Sequence, residues 1–156
     1  MKRNPPSIIT GFDPAHLNAL NAVFQDVYGN MGKLEKSITE EGIKTYVTGA
    51  TLSALRVCKL DATGTLVYGD GETVGDMFKI FGITVTAANL GASSKVREYG
   101  EMEDSSWAWT LGTPIFCGAS GVLTQTPPAA FRRIVAEPLT DKKIAVKFLD
   151  PIKKAV

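Results

Sequence analysis

The chain has 156 residues, with 17 basic and 16 acidic side chains and a formal net charge of +1. This length suits one domain of ordinary size, or one domain with an extension. The balanced charge argues against nucleic acid or an anionic membrane as a partner, and 44% hydrophobic residues predict a packed core rather than disorder.

Residues 1–12 are predicted to form an extended N-terminal arm. Pro5 and Pro6 favour extended backbone. Ile8, Ile9 and Phe12 make the arm too apolar for a free tail. Two interpretations stay open: the arm lies on its own domain, or it docks on a partner.

Residues 13–42 are predicted to form one long helix. Asp13 is a suitable N-cap, Pro14 fits the first helical position, and Gly42 is suited to end the helix. Apolar residues recur at alternating spacings of three and four, the a/d pattern of a coiled coil: Leu17, Leu20, Phe24, Val27, Met31, Leu34 and Ile38.

This heptad seam predicts the oligomer interface of a homotrimer. The flanking e and g positions carry one charge, that of Glu35, so ion pairs do not select the partner. A wide seam that mixes Leu, Phe, Met and Ile suits three helices better than two. The alternative is an amphipathic helix packed on its own sheet.

Residues 43–156 predict an all-β domain, because short strands alternate with turn signals every 8–12 residues. A weak internal duplication recurs along this region. It aligns Cys58 with Cys117, Gly64 with Gly121, Leu66 with Leu123 and Phe78 with Phe131. Neither copy could bury its apolar face alone. The predicted fold class is therefore mainly β: a small β-barrel or sandwich domain, preceded by the N-terminal arm and one heptad-patterned α-helix.

No set of side chains forms a catalytic, cofactor-binding or metal-binding motif. A single histidine, His16, excludes a histidine-based zinc site or triad. Cys58 and Cys117 lack metal-ligand spacing, and we interpret them as core residues, with a disulfide as the alternative. Segment 69–75, GDGETVG, is interpreted as a hairpin turn because it lacks the Lys-Ser/Thr of a phosphate loop. We predict no enzyme, no cofactor and no metal.

The start of the chain shows no signal-peptide pattern, since Lys2 and Arg3 lead into Asn-Pro-Pro. No stretch approaches the roughly 20 apolar residues of a membrane span. We expect a protein made in a reducing cytoplasm, with no membrane partner.

Trp107 and Trp109 are predicted to lie on one face of a strand. Either both side chains cover the end of the β core, or they form an aromatic anchor at a subunit interface or a ligand site. The stretch that follows them, with Gly112, Pro114 and a Gly-Ala-Ser-Gly turn, predicts a hairpin.

Segment 107–128, WAWTLGTPIFCGASGVLTQTPP, resembles a segment of tailed-bacteriophage and prophage virion proteins. The shared pattern is Trp-x-Trp-Thr, then Gly-x-Pro-hydrophobic, then Gly-x-Leu-Thr-Gln-Thr-Pro-Pro. The looser resemblance extends from about Leu52 to Ile152. The family comprises small, non-enzymatic β domains of capsid decoration proteins, head fibres and fibre attachment domains, which are commonly trimers.

The resemblance implies a structural virion protein, made in the bacterial host cytoplasm. Its expected partners are itself, as a homotrimer, and other virion proteins such as the major capsid protein or tail and neck proteins. The arm and helix would anchor it on the particle; capsid, neck, tail and baseplate all remain open as its location. The alternative function is a host-surface or carbohydrate-binding module of a tail fibre or baseplate.

Overall fold

The computed structural model describes the backbone of residues 14–153, and the side chains of residues 18–31 and 40–153. The N-terminal arm, with Pro5, Pro6, Ile8, Ile9 and Phe12, lies outside the described residues. So do the side chains of His16, Leu17, Leu34 and Ile38. The chain divides into two compact units, Met1–Glu40 and Glu41–Val156.

The described part of the first unit is one helix, α1, which spans Pro14–Glu40. Its 27 residues correspond to a rod about 40 Å long. The predicted helix was residues 13–42. Gly42 follows in a turn with φ of 78°, and a Cβ at that position would lie 2.3 Å from the Tyr99 carbonyl oxygen. Only glycine fits there, which explains why the helix ends where it does.

The second unit is built from twelve short strands among the described residues. In chain order they are β1 (Ile43–Val47), β2 (Val57–Leu60), β3 (Leu66–Tyr68), β4 (Ile80–Thr84), β5 (Ser93–Arg97), β6 (Gly100–Glu103), β7 (Ile115–Cys117), β8 (Leu123–Thr124), β9 (Phe131–Arg132), β10 (Ile134–Pro138), β11 (Lys143–Val146) and β12 (Ile152–Lys153).

These strands form two five-stranded antiparallel sheets and a two-stranded one. Sheet one has the order β1-β5-β4-β2-β3, sheet two has the order β6-β11-β10-β7-β8, and β12 pairs with β9. The predicted mainly β fold with one N-terminal helix is therefore confirmed. Within residues 14–153, no helix combines the length and the hydropathy that a membrane span requires.

The two five-stranded sheets repeat one topology. Numbered in chain order within each sheet, the strands lie in the order first, fifth, fourth, second, third. The second and fourth strands show a register shift in both sheets, at Cys58/Lys59 in one and at Ile134/Ala136 in the other. The two sheets therefore share a strand order and a bulge position, which is the arrangement that the predicted duplication requires.

The register corrects part of the sequence alignment. Leu60 pairs with Leu66, and Cys117 pairs with Leu123. Leu66 therefore corresponds to Leu123 as predicted, but Cys117 corresponds to Leu60 and not to Cys58. The predicted match of Phe78 with Phe131 is also wrong, because Phe131 is fully buried and Phe78 is the most exposed large apolar residue of the β unit.

The segment GDGETVG is not a hairpin turn. It joins β3 to β4, and these strands lie on opposite sides of β2, so the chain crosses over instead of turning back. A short 3₁₀ helix, Val74–Asp76, occupies the middle of this connection. Because β3 and β4 are both antiparallel to β2, they run in the same direction, and the prediction of a hairpin turn is wrong.

The main core lies between the two sheets. Its buried members come from sheet one (Val57, Ile80 and Ile83), from sheet two and its loops (Met102, Trp107, Ile115, Cys117, Val135, Ala136, Ile144 and Val146), and from β9 (Phe131). A second cluster of Leu52, Cys58, Leu66 and Val96 lies within sheet one. On the side of the main core, each sheet buries its apolar residues against the other.

Candidate functional site

The apolar face of α1 is the most extensive candidate interface in the described helix. Leu20, Phe24, Val27 and Met31 occupy consecutive a and d positions, and each is between 49% and 53% exposed. A single helix can shield only about half of such a side chain. Covering the other half would contribute roughly 1 kcal/mol per residue.

Two further side chains widen this face. Val23 and Tyr28, at the flanking g and e positions, are also exposed. The Tyr28 ring stacks against the Phe24 ring with centroids 6.3 Å apart, an i,i+4 contact along the helix. The apolar stripe is therefore broader than a strict a/d seam, which favours more than one neighbouring helix.

Charged residues on this face do little to select one partner over another. Asp26 is the single charged residue between residues 18 and 31, and it lies at position c, away from the seam. An interface here would depend on shape and apolar area rather than on ion pairs. The remaining seam residues, Leu17, Leu34 and Ile38, continue the same spacing on either side, although their side chains lie outside the described set.

The tryptophan pair occupies an irregular segment, not the strand that the alternation predicted. Residues 107–110 lie in the connection between β6 and β7. Trp107 is 9% exposed and belongs to the main core, whereas Trp109 packs against that core from its edge. The rings lie 5.7 Å apart with an interplanar angle of 55°. The pair thus covers one end of the β core.

Backbone contacts hold this segment to the turn between β10 and β11. The Trp109 N–H donates to the Asp141 carbonyl at 2.9 Å, and the Lys142 ammonium donates to the Trp107 carbonyl. Within the described chain, the Trp109 indole N–H has no hydrogen-bond acceptor. Trp107 therefore offers almost no surface to a ligand or a neighbouring subunit, while Trp109 is partly accessible.

The predicted hairpin after the tryptophans is confirmed. β7 and β8 pair antiparallel, Phe116 with Thr124 and Cys117 with Leu123. Gly121 takes a φ of 72° in the connecting turn, and a Cβ there would lie 2.3 Å from the Val57 carbonyl oxygen. The Gln125 amide bonds to the backbone N–H and carbonyl of Thr110, at 3.0 and 2.8 Å, as another strand would.

Both cysteines are free and buried in the structure, which confirms the interpretation of Cys58 and Cys117 as core residues. Burial, chiefly through desolvation of the thiolate, raises the pKa of Cys58 and of Cys117 to about 12. The Cys58 thiol donates to the Gly82 carbonyl at 3.3 Å. A thiol in this state is neither a nucleophile nor a metal ligand at neutral pH.

The acidic segment after β5 makes structural contacts. The Glu98 carboxylate accepts a hydrogen bond from the Tyr46 hydroxyl at 2.5 Å and pairs with Lys44 at 2.8 Å. Burial and then this hydrogen bond raise the pKa of Tyr46 to about 12. Asp104 accepts from the Ser106 N–H at 2.9 Å. Glu98 therefore joins two side chains of β1, and Asp104 orders the backbone that follows it.

Shallow grooves flank the β7–β8 hairpin. One, of about 350 Å³, is lined by Glu72, Gly118, Ala119, Val122, Thr124, Thr126, Pro127 and Pro128. The one carboxylate in its lining, that of Glu72, accepts a hydrogen bond from the Ala129 N–H at 3.2 Å. This bond joins two loops of the β unit. Among the described residues, no three His, Cys, Asp or Glu side chains are grouped to hold a metal ion.

Among the described residues, the features available for an intermolecular contact are the half-exposed apolar face of α1 and the exposed side chains of the β unit. Comparison of the chain with protein-family models and with curated protein sequences finds no match.

Proposed function

We propose that this chain is a structural, non-enzymatic virion protein of a tailed bacteriophage, a homotrimeric decoration or fibre protein. Its N-terminal arm and helix would anchor it on the particle, against the major capsid protein or a tail or neck protein. The resemblance of segment 107–128 to virion proteins supports the class, and the architecture of an apolar helix followed by a β unit supports the role.

One observation carries the proposal: the half-exposed heptad face of α1. Leu20, Phe24, Val27 and Met31 are half exposed along two consecutive heptads. An apolar stripe of this regularity is expected to be covered, since contiguous exposed apolar surface marks an interaction site. The 3.5-residue period specifies a supercoiled neighbour of the same kind, because it keeps one seam facing a partner over many turns.

The β unit fits a sandwich better than a closed barrel. Its main core is shared by facing residues of the two sheets, such as Ile83 in β4 and Val135 in β10. Packing of two antiparallel sheets over one core is the architecture of a β-sandwich. A β-sandwich unit that follows an oligomerising helix in the chain suits a decoration or fibre protein.

The absence of an assembled reaction centre in the described residues also supports a structural role. The two thiols are buried, the carboxylates make local contacts, and His16 lies on a helix with no nucleophile motif beside it in the sequence. We propose no cofactor, no metal, no nucleic acid and no membrane partner. The buried position of Trp107 leaves the host-surface alternative with less aromatic surface than the sequence indicated.

Light scattering of the purified full chain tests the assembly. A trimer has three times the chain mass of 16.7 kDa, about 50 kDa. Phe24→Asp places a carboxylate in the middle of the seam, where three copies would meet, and is expected to convert the trimer to monomers at micromolar concentration. Ala22→Asp makes a similar change at an f position, opposite the seam, and is expected to leave the trimer intact.

A wild-type chain that is monomeric at micromolar concentration would overturn the homotrimer. Survival of the trimer in Phe24→Asp would show that α1 is not the subunit interface. Electron microscopy of purified particles carrying the protein would then locate it on the capsid, neck, tail or baseplate, and its absence from particles would exclude a virion role.

A further inference from the structure

Lys59 and Asp76 form an ion pair inside the β unit. The Asp76 side chain is 4% exposed and the Lys59 side chain 22%, against 57% and 37% for the pair of Glu101 with Lys143. The alternation of a strand places Lys59 on the same side of β2 as Val57, a member of the main core. Both charged groups are therefore largely withdrawn from water, where an ion pair carries a desolvation penalty.

The amino nitrogen of Lys59 contacts both oxygens of the Asp76 carboxylate. Nζ lies 2.5 Å from Oδ1 and 2.6 Å from Oδ2. The carboxyl carbon lies between these oxygens, so Nζ is also close to the roughly 3–3.5 Å at which reacting atoms are held before a bond forms. The pair is thus placed either to remain a charge-assisted hydrogen bond or to join as an amide.

The main chain around Asp76 is fixed on both sides. The Asp76 N–H donates to the Thr73 carbonyl at 2.9 Å, and the Asp76 carbonyl accepts from the Lys79 N–H at 2.9 Å. The Arg133 guanidinium donates to the carbonyl of the next residue, Met77, at 3.0 Å. The short 3₁₀ helix that ends at Asp76 is therefore anchored, and this reduces the entropic cost of bringing its carboxyl group to the side chain from β2.

A backbone donor distinguishes the two oxygens of the Asp76 carboxyl group. The Asp70 N–H donates to Oδ2 at 3.0 Å. A donor held in this position stabilises the negative charge that develops on Oδ2 when an amine adds to the carboxyl carbon. Oδ2 is thereby favoured as the carbonyl oxygen of an amide, and Oδ1 as the oxygen that leaves.

We propose that Lys59 and Asp76 join spontaneously in an intramolecular amide, an isopeptide bond. The ammonium first passes one proton to the carboxylate, which gives an amine and a carboxylic acid; burial favours this step because the charged forms are the costly ones to bury. The lone pair of Nζ then forms a bond to the carboxyl carbon. The bond from that carbon to Oδ1 breaks, and the hydroxyl leaves as water with a proton from the nitrogen. Nothing is oxidised or reduced, and no co-reactant is needed.

The bond closes the chain from Lys59 to Asp76 into a covalent loop, which fastens the connection between β3 and β4 to β2. The neutral amide also removes two charges from a buried site. An ion pair alone would anchor the same connection, so the two states differ in covalent mass rather than in fold. This modification goes beyond the proposed function and does not depend on the homotrimer.

Mass spectrometry of the full chain, purified in its folded state and then denatured, tests the bond. The wild-type chain is expected to be lighter than its sequence by one water molecule. Trypsin then cuts after Arg56 and Lys79 but not after the amidated Lys59, so segment 57–79 is recovered as one peptide, also lighter by one water. An unlinked chain gives segments 57–59 and 60–79 as separate peptides.

Two variants provide the controls. Lys59→Arg keeps a cation opposite the Asp76 carboxylate, but a guanidinium stays protonated and does not act as the nucleophile, so this variant is expected to have the full mass of its sequence. Asp76→Ala removes the carboxyl group, and trypsin is then expected to cut after Lys59. Because Lys59→Arg preserves the ion pair, it separates loss of the covalent bond from damage to the fold.

A wild-type chain of unaltered mass, with segments 57–59 and 60–79 recovered separately, would overturn the inference and leave Lys59 and Asp76 as an ion pair. A water loss that persists in Lys59→Arg would also overturn it, because the loss would then come from another reaction, such as ring closure at the Asp70–Gly71 step. Neither result bears on the homotrimer, which light scattering tests separately.

Discussion

At the scale of single residues, Arg133 joins three separate segments of the β unit. Besides the Met77 and Ile80 carbonyls, it reaches the Leu149 carbonyl through Nε at 3.0 Å, and it stacks over the Phe148 ring at 5.6 Å. Burial lowers the pKa of Arg133, which nonetheless stays protonated because an arginine starts so high. The Arg133 side chain thus connects segment 77–80, the start of β10 and the chain leading to β12.

Arg133→Met is expected to destabilise the protein by about 2–3 kcal/mol, because three carbonyl groups lose a charged donor at once. The midpoint of urea unfolding, followed by tryptophan fluorescence, measures the change. Arg132→Met provides the matched control: its side chain is exposed, and the expected change is within about 0.5 kcal/mol. Equal effects of the two substitutions would contradict the role given to Arg133.

At the scale of elements, the glycines of the two equivalent hairpins differ in the space available beside them. Gly64 follows β2 and Gly121 follows β7, and both adopt positive φ, 81° and 72°. A Cβ at Gly64 would meet nothing within 4 Å, whereas a Cβ at Gly121 would lie 2.3 Å from the Val57 carbonyl oxygen. The second hairpin is therefore packed against sheet one at Gly121, whereas the first has open space beside Gly64.

Gly64→Ala should cost about 1–2 kcal/mol, the strain of a left-handed alanine. Gly121→Ala should cost more, about 3 kcal/mol or above, because the backbone of β2 must also move. Thermal unfolding of the two variants, compared at equal concentration, measures the difference. If Gly121→Ala were as mild as Gly64→Ala, the close approach of this hairpin to Val57 would be wrong.

Local sequence patterns predicted the elements whose partners are near in the chain. The heptad spacing and Gly42 indicated the helix and its end, and the Gly-Ala-Ser-Gly turn indicated the β7–β8 hairpin. The misplaced elements depend on distant partners instead. β3 and β4 are separated by β2, so a turn-rich segment became a crossover, and the tryptophan segment is held by the β10–β11 turn rather than by a strand.

The same distinction, between features set by neighbouring residues and features set by distant ones, applies to the exposed surfaces. The apolar face of α1 follows from periodicity alone, because a helix displays its own pattern. The exposed position of Phe78 could not be predicted, since segment 77–80 is held by hydrogen bonds from Arg133, more than 50 positions further along the chain. Exposure of Phe78 also contradicted its alignment with the buried Phe131.

At the scale of the whole molecule, the duplication and the shared core decide how the β unit unfolds. Each copy contributes one sheet, yet the main core contains Val57, Ile80 and Ile83 from the first copy and Val135 and Ile144 from the second. Exposing one sheet would also expose the apolar face of the other. The two copies should therefore behave as one cooperative unit rather than as two independent domains.

Ile144→Ala tests this cooperativity, because Ile144 is fully buried in β11 and its truncation should cost about 2–5 kcal/mol. Although the substitution lies in sheet two, amide hydrogen exchange should quicken by a similar factor in β4 and in β10, since both open with the shared core. Leu66→Ala, in the smaller cluster of sheet one, is the reciprocal variant and should accelerate exchange in β10 as well. Faster exchange confined to the mutated sheet, in either variant, would show that the two copies open separately and that the core between them does not couple them.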